Sequence, residues 1–562
     1  MSASLRTSAP IILDAGDSAL VMELGATIDE QVNARAVAAA AWLREAHLSG
    51  VRDVVPTYAA VAVFFDPLTT DAEAVRQAMV RAREASPCEA DGPIIEIPVA
   101  YGGEAGPDLV EVARWAGMSP DEVIERHASR TYRVFMLGFL PGFAYMGTVE
   151  EAIAAPRLAT PRVRVPAGSV GIAGGQTGIY STESPGGWQI IGRTPVSVFD
   201  AIRTPASMFA PGDRVRFVSA GAAPAVRQEA PDEDVRNAIA GRPFAGRPEM
   251  AGRRSITVVR PGLFTTIQDG GRWGYQAQGV PVAGPMDPVA HRVANALVGN
   301  PADAATLEAT ILGPELRLET EAMLGVAGAD LGVTLDGAQL PPGHAARGAA
   351  GSVLRFSRRV HGTRAYVAFD GGVDVPPILG SRATYVPSGL GGIDGRALKV
   401  GDVLPLRSAD RSPAGSQDRG LTSVMDRLKA GGARVRVIAG PQSSFFEPGT
   451  LESLQRSRFT ISPQSDRMGY RLTGARIPRA SREMISGATF TGALQVPASG
   501  DPILLMADRQ VTGGYPQIAV VITADLPVVG QLAPGDWVEF EICTRAEAIA
   551  ALAEQEQCLV RG

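Results

Sequence analysis

The spacing of apolar residues changes character several times along the chain, and those changes outline its elements. Residues 11–13 and 19–24 read as short strands around the turn Ala15-Gly16-Asp17, and residues 34–45 have helical composition. Residues 51–56 and 59–65 alternate like paired strands about a Thr57-Tyr58 corner, and an Asp opens a second helix over residues 71–84. The order ββαββα predicts a small α+β sandwich of roughly ferredoxin-like size. Over residues 96–217, two helices at 110–115 and 119–128 precede short apolar runs broken by Gly and Pro, the pattern of a closed or nearly closed β-barrel. Ser119-Pro120-Asp121-Glu122 is a good N-cap sequence for the second of these helices. The stretch 220–254 shifts to Ala, Pro, Arg and Glu and reads as a linker with one weak helix, the junction of two ancestrally separate chains. The β pattern resumes over 255–540, interrupted by a helix at 288–298 and a polar stretch at 409–417, and residues 544–558 form a terminal helix. The expected chain is mainly β with an α+β part: an α+β unit over 1–92, a barrel over 93–219, the linker over 220–254, and barrels over 255–420 and 421–562.

An internal echo supports barrels in both halves. Gly174-Gly175-Gln176-Thr177-Gly178 leads through Ser184-Pro185-Gly186-Gly187-Trp188 and an apolar strand to Pro211-Gly212-Asp213-Arg214. Later, Asp508-Arg509-Gln510-Val511-Thr512-Gly513-Gly514-Tyr515-Pro516 leads through an apolar strand to Pro534-Gly535-Asp536-Trp537. Gly401-Asp402-Val403-Leu404 is a weaker third copy of the closing turn.

Composition narrows the chemistry. The 64 glycines and 42 prolines supply the turns that short-stranded β architectures need. A net charge of −6 gives no footprint for nucleic acid or an anionic membrane. The segment 1–10 reads as neither signal peptide nor anchor, and no run approaches the roughly 20 apolar residues of a spanning helix. Cys88, Cys543 and Cys558 are scattered and lack metal spacing, which fits a reduced, cytoplasmic setting. No histidine pair stands at i,i+4, so a zinc enzyme is not expected. Lys399 and Lys429 are the only lysines, which excludes a P-loop, and neither is flanked by methionines as a biotin-carrier lysine would be. Any phosphate or carboxylate must therefore be held by arginine, backbone N–H groups or a metal.

Several segments could do so. Arg133-Val134-Phe135-Met136-Leu137-Gly138-Phe139-Leu140-Pro141-Gly142-Phe143-Ala144-Tyr145 could form a wall against a flat ligand; on residue physics alone, core is the favoured reading for its aromatics. In a strand, Arg162 and Arg164 point to one face, which calls for an anion, an acidic partner or a solvent-facing edge. The N–H groups of Gly174 to Gly178 could face such an anion. Gln268-Asp269-Gly270-Gly271-Arg272 and Ser465-Asp466-Arg467-Met468-Gly469 gather polar groups around tight turns, whose plainest role is to stabilise those turns. Together with Gln495 and the segment from Asp508 to Pro516 they could instead make a polar pocket at a barrel mouth for a small amide or carboxylate. No Ser–His–Asp or Cys–His set is recognisable.

The motifs carry a family resemblance. Phe139-Leu140-Pro141-Gly142-Phe143-Ala144-Tyr145, Val165-Pro166-Ala167-Gly168-Ser169-Val170-Gly171-Ile172-Ala173-Gly174 and Gln176-Thr177-Gly178-Ile179-Tyr180 resemble the family called allophanate hydrolase subunit 1, now assigned as the B-type subunit of 5-oxoprolinase. Thr266-Ile267-Gln268-Asp269, Gly279-Val280-Pro281, Gly284-Pro285-Met286-Asp287, Ser465-Asp466-Arg467-Met468-Gly469 and Gly513-Gly514-Tyr515-Pro516 resemble allophanate hydrolase subunit 2, the C-type subunit of 5-oxoprolinase. The resemblances run from residue 11 to 541 apart from the linker, and imply a cyclophilin-like barrel in the B part, two related barrels in the C part and an active-site cleft between them.

The function so implied is a fused B–C component of ATP-dependent 5-oxoprolinase. It would phosphorylate 5-oxo-L-proline so that a separate A-type subunit can hydrolyse it to L-glutamate. On that footing Arg164, Arg193, Arg272 and Arg467 are candidate clamps for phosphate or carboxylate, and Asp269, Asp466 and Asp508 candidate Mg²⁺ ligands. Gln176, Gln268 and Gln495 would orient the lactam amide. Phe139, Gly142, Phe143, Tyr145, Gly174, Gly175, Thr177, Gln495, Asp508, Gly513, Gly514 and Tyr515 would line the substrate site. The implied cofactors are ATP and Mg²⁺, and the partners the A-type subunit and a lactam or amide; neither nucleic acid nor membrane is expected, and a homo-oligomer stays open. Members of the superfamily also serve as the carboxyltransferase part of urea carboxylase, an alternative that would bring in biotin. Relatives of the B-type subunit can also inhibit a sensor histidine kinase, a second alternative.

Overall fold

The computed structural model describes residues 11–87, 93–220, 253–408, 421–428, 430–479 and 484–561. The weak helix expected in the linker, the polar stretch 409–417, Cys88, Lys429 and residues 1–10 lie outside the described residues.

The first unit has the expected element order. Strands Ile11–Asp14, Ala19–Glu23, Ala60–Phe65 and Val51–Pro56 lie side by side in that spatial order, all antiparallel. Helices Glu30–Glu45 and Ala72–Ala82 cover one face, packing Leu20, Met22, Val61, Val63 and Phe65 against Ala36, Leu43, Val75 and Met79. The expected alternation fails in Ala60–Phe65, which is buried over five of its six residues. The reason is that its other face is covered too: Ala62 and Phe64 pack on Phe490, Leu505, Val511 and Val520 of the C-terminal barrel.

Two closed seven-stranded barrels follow, one in each half. In the first, Ser119 caps helix Pro120–Ala128 with a full capping box, as its sequence predicts. The barrel closes where Arg214–Ser219 runs parallel to the opening strand Ile94–Tyr101. In the C-terminal barrel Trp537–Ile542 likewise runs parallel to the opening strand Gly432–Ala439. The turn that delivers each closing strand is the repeated Gly-Asp. Asp213 accepts from the Ala210 N–H at 2.7 Å and Asp536 from the Ala533 N–H at 2.8 Å. The third copy makes the same bond, Asp402 accepting from the Lys399 N–H at 2.7 Å. There, however, Val403–Pro405 pairs antiparallel with Ser255–Arg260. Residues 255–406 accordingly form a six-stranded and a five-stranded sheet facing each other across one core, in place of the closed barrel expected there.

The halves are laced together by the segment 273–279. Asp53 accepts from Gly274 N–H and the Gln276 amide, Arg509 donates to Gln276 Oε1 at 2.8 Å, and Gly142 N–H donates to the Gln278 carbonyl at 2.8 Å. Terminal helix Arg545–Arg561 closes the circuit, Arg545 pairing with Asp14 at 2.6 Å.

Candidate functional site

Where the two halves meet, neighbouring segments approach so closely that only glycine fits. A Cβ on Gly138 would lie 1.8 Å from Thr512 Oγ1, and one on Gly279 would lie 2.6 Å from the Leu140 carbonyl oxygen. Around this seam gather hydroxyl and amide groups from both halves. Tyr58 is fully buried, its Oη lies beside Gln176 without a hydrogen bond of normal geometry, and its ring lies 6.1 Å from that of Tyr145. Tyr145 in turn approaches Thr512, whose buried Oγ1 makes no hydrogen bond of normal geometry. Thr512–Gly513 pairs with Gly487–Ala488, and Gln517 donates to the Ala488 carbonyl at 2.9 Å while its own buried Oε1 is left unbonded. Gln495 stands opposite Gln517 on the neighbouring strand, its amide against Gly513. Burial raises the Tyr58 phenol well above its ordinary value and pushes Tyr145 up to about 12, so both are neutral O–H donors at physiological pH. Arg157 supplies positive charge: its guanidinium lies 6.0 Å from the Trp188 ring, it favours the ionised forms of Tyr58, Tyr145 and Tyr180, and it has no carboxylate partner among the described residues.

Among the described residues the set offers two hydroxyls and one amide oxygen without a hydrogen bond of normal geometry and one arginine without a carboxylate partner, groups able to hold a small polar ligand. Beside it opens a cleft of about 560 Å³, walled by Thr57, Ala59 and Ala60 of the N-terminal sheet and by Gln442, Ser486 and Ala488 of the C-terminal barrel.

A second polar cluster joins the middle sheets to the C-terminal barrel. Arg467 is buried and meets Asp508 through Nε at 2.9 Å and Nη2 at 3.0 Å, Glu308 through Nη1, and the Gly284 carbonyl at 2.5 Å. Glu308 also accepts from Tyr366 Oη at 2.6 Å and Met286 N–H at 2.9 Å. Burial pushes the Glu308 carboxyl up, but Arg467 and Arg364 more than offset this and hold it below its ordinary value. Asp466 is exposed and caps the turn that turns Arg467 inward, accepting from Met468 N–H at 2.8 Å. Asp269 likewise serves its turn, accepting from Gly271 N–H at 3.0 Å, Ser381 Oγ at 2.6 Å and Arg382 N–H at 2.5 Å. Gln268 donates to Thr266 and the Thr384 carbonyl, and buried Arg272 donates to the carbonyls of Ile378 and Ala383. Among the described residues no three acidic, histidine or cysteine side chains gather as a metal site. Asp269, Asp466 and Asp508 are each committed to a turn or to Arg467, so they do not fit the Mg²⁺ set expected of them.

The candidate residues thus separate. Gln176, Tyr145, Gln495 and Gly513 reach the seam, with Gly514 next to Ser486 and Tyr515 half-exposed. Phe139 and Phe143 pack edge-on among Tyr145, Tyr180 and Trp188, an aromatic floor rather than an open wall. Gly142 holds the backbone that bonds Gln278. Arg164 and Arg193 are exposed, Arg164 paired with Glu183 at 2.6 Å and Arg193 donating to the Ala167 carbonyl, while Arg162 pairs with Asp108; acidic partners, not a bound anion, answer that arginine pair. Gly174 spends its N–H on the Ala155 carbonyl, and Gly175 shares its exposed turn. Thr177 points into the first barrel, bonded to His127 and the Gly171 carbonyl, because strand alternation sends it to the face opposite Gln176. Tyr58, Arg157 and Gln517, and at the second cluster Glu308 and Tyr366, are absent from the sequence-derived candidates, and Thr512 enters them only as part of the segment from Asp508 to Pro516. Only the glycine pair after Thr512 signals any of them.

The paired barrels and the seam between them are the architecture of a two-part carboxyltransferase-domain protein. Carboxyltransferase domain, subdomains C and D, matches residues 10–209, and subdomains A and B match residues 278–542. The chain is 38% identical over 303 residues to the 5-oxoprolinase C-type subunit of Escherichia coli (strain K12), covering 54% of this chain and 96% of that one. It is 43% identical over 215 residues to the 5-oxoprolinase B-type subunit of Bacillus subtilis (strain 168), covering 36% of this chain and 90% of that one. The crystal structure of TTHA0988 superposes with a TM-score of 0.81 at 35% identity, over 93% of this chain and 99% of that one. The chain belongs to the carboxyltransferase-domain family and joins, in one polypeptide, the parts that these relatives carry as the B-type and C-type subunits of 5-oxoprolinase. No helix among the described residues is long and apolar enough to cross a membrane.

Proposed function

We propose that the chain is the B–C component of an ATP-dependent 5-oxoprolinase and that the seam binds 5-oxo-L-proline for phosphorylation of its lactam oxygen. The observation that supports this is that three buried polar atoms along the join of the two halves, Tyr58 Oη, Thr512 Oγ1 and Gln517 Oε1, make no hydrogen bond of normal geometry. Leaving such atoms unbonded costs about 1–3 kcal/mol each, a cost that a complementary ligand removes. Tyr58 and Thr512 donate to the lactam oxygen, Gln517 Oε1 accepts the ring N–H, and Arg157 pairs with the carboxylate. Drawing the N–H toward Gln517 shifts electron density onto the lactam oxygen, the atom that attacks the γ-phosphorus as ADP leaves. The phosphorylated oxygen is then a good leaving group. Attack of one water at the carbon opens the C–N bond to an acyl phosphate, and a second water releases phosphate and leaves the glutamate carboxylate; both steps fall to a separate A-type subunit.

Glutamate release from 5-oxoproline and ATP tests this reading, measured with the chain alone, with the A-type subunit alone and with both. Release only with both is expected. A second reading, carboxyl transfer from carboxybiotin, has the family's own description in its favour; transfer to urea with no glutamate release in any combination would replace the first reading with it.

A further inference from the structure

We propose that the cleft beside the seam binds the adenine nucleotide, an inference that rests on the seam being the lactam site. Its volume of about 560 Å³ falls within the roughly 300–1,000 Å³ of small-molecule sites and far exceeds what a five-membered lactam fills. Two kinds of residue line it. Leu13, Val21 and Ile485 give apolar surface suited to a flat base. Arg35 and Arg83, both half-buried, also line it, and neither has a carboxylate partner among the described residues. Glu23 is the single carboxylate among the described lining residues. The described lining is therefore net positive in a chain of net charge −6, which selects a polyanion.

The placement of Arg35 gives the ligand a direction. Its guanidinium donates to the Leu24 carbonyl at 3.1 Å, and Leu24 N–H bonds the carbonyl of Ala59, the residue after Tyr58. Arg35 thus stands at the seam end of the cleft, where a phosphate it holds lies toward the lactam oxygen. Arg83, at the end of helix Ala72–Ala82, extends the positive lining from a second element. Gln442 lines the same cleft and accepts from Gln517 at 3.3 Å, so nucleotide and lactam sites share a wall.

Calorimetric titration of the full chain with ATP, AMP and tripolyphosphate tests the assignment. ATP is expected to bind, Arg35→Glu with Arg83→Glu to weaken it at least 10-fold, and Arg35→Lys with Arg83→Lys to restore most of the loss. Ala60→Trp, which adds an indole to the cleft from strand Ala60–Phe65, an element that carries neither arginine, is expected to abolish binding while the thermal midpoint holds. The assignment falls if the unmodified chain binds no ATP, if tripolyphosphate binds as tightly as ATP, or if the charge-reversed chain binds ATP undiminished. Glutamate release with the A-type subunit, run on the same proteins, keeps the two readings apart. Turnover by the unmodified chain alongside variant-insensitive ATP binding sinks only the cleft; variant-sensitive binding without turnover sinks only the lactam site.

Discussion

The knot at Arg467 and the seam at Thr512 are both buried, both polar and both built where parts of the chain join, yet they are finished in opposite ways. At the knot each guanidinium nitrogen of Arg467 has a partner, and Glu308 collects Arg467, Tyr366 and the Met286 N–H. At the seam three buried polar atoms from three segments have none. Unmet capacity is not confined to the seam, since Arg364 Nε beside Glu308 is also unbonded; what sets the seam apart is that two hydroxyls and an amide oxygen are left unmatched there together. Removing Arg467 should break the comparison on the structural side with the largest effect. Arg467→Ala strands Asp508 as a buried, unpaired carboxylate and leaves Glu308 with Arg364 alone, 3.9 Å away, at a cost of about 3–5 kcal/mol. Urea unfolding should show that loss; a midpoint close to that of the unmodified chain would show that the knot holds nothing together.

A smaller effect is expected where the seam is closed by shape instead of charge. Gly138→Ala pushes a methyl into Thr512, within 2.7 Å of its Oγ1, Cγ2 and Cβ atoms. Overpacking of this kind costs about 1–3 kcal/mol. Thr512→Gly in the same chain removes the obstruction, so a double-mutant cycle should return a coupling of comparable size. Additive losses would place the obstruction elsewhere.

Local geometry decides what is legible in the sequence. The Gly-Asp closing turn can be read three times because an Asp three residues after an N–H can cap it wherever it occurs, and the Ser119 capping box for the same reason. Arg467 and Asp508 are legible as polar residues beside turns, but Glu308, which completes their knot, sits in the unremarkable strand Thr306–Thr310. The seam is less legible still. Tyr58 reads as a strand corner, and its chemistry depends on Thr512, a residue in the other half of the chain. Period-two alternation separates Gln176 from Thr177, yet a Gly-rich context makes the whole turn look like one surface, so both stand among the sequence candidates. The arginine pair at 162 and 164 shows the converse error: same-face charges invite an anion, and Asp108 and Glu183, outside the motif, supply it.

The smallest stability effect is expected at Tyr58, and it sharpens the comparison most. Its Oη makes no hydrogen bond, so Tyr58→Phe removes a group that the folded chain already leaves unmatched, and the ring keeps its packing against Phe135 at 5.3 Å. Deleting an unmatched buried hydroxyl is nearly neutral or stabilising, so the unfolding free energy should stay within about 0.5 kcal/mol of the unmodified chain. If that hydroxyl donates to the lactam oxygen, kcat/KM for 5-oxoproline with the A-type subunit present should fall about 10-fold, since one donor to the reacting atom is worth about 1.4 kcal/mol or more. The corresponding removal at the knot, Tyr366→Phe, takes away a hydrogen bond that Glu308 uses and should lower stability. Stability held and turnover lost at Tyr58, with stability lost at Tyr366, is the pattern that separates a binding surface from a joint. Turnover unchanged in Tyr58→Phe would return the seam to the same class as the knot.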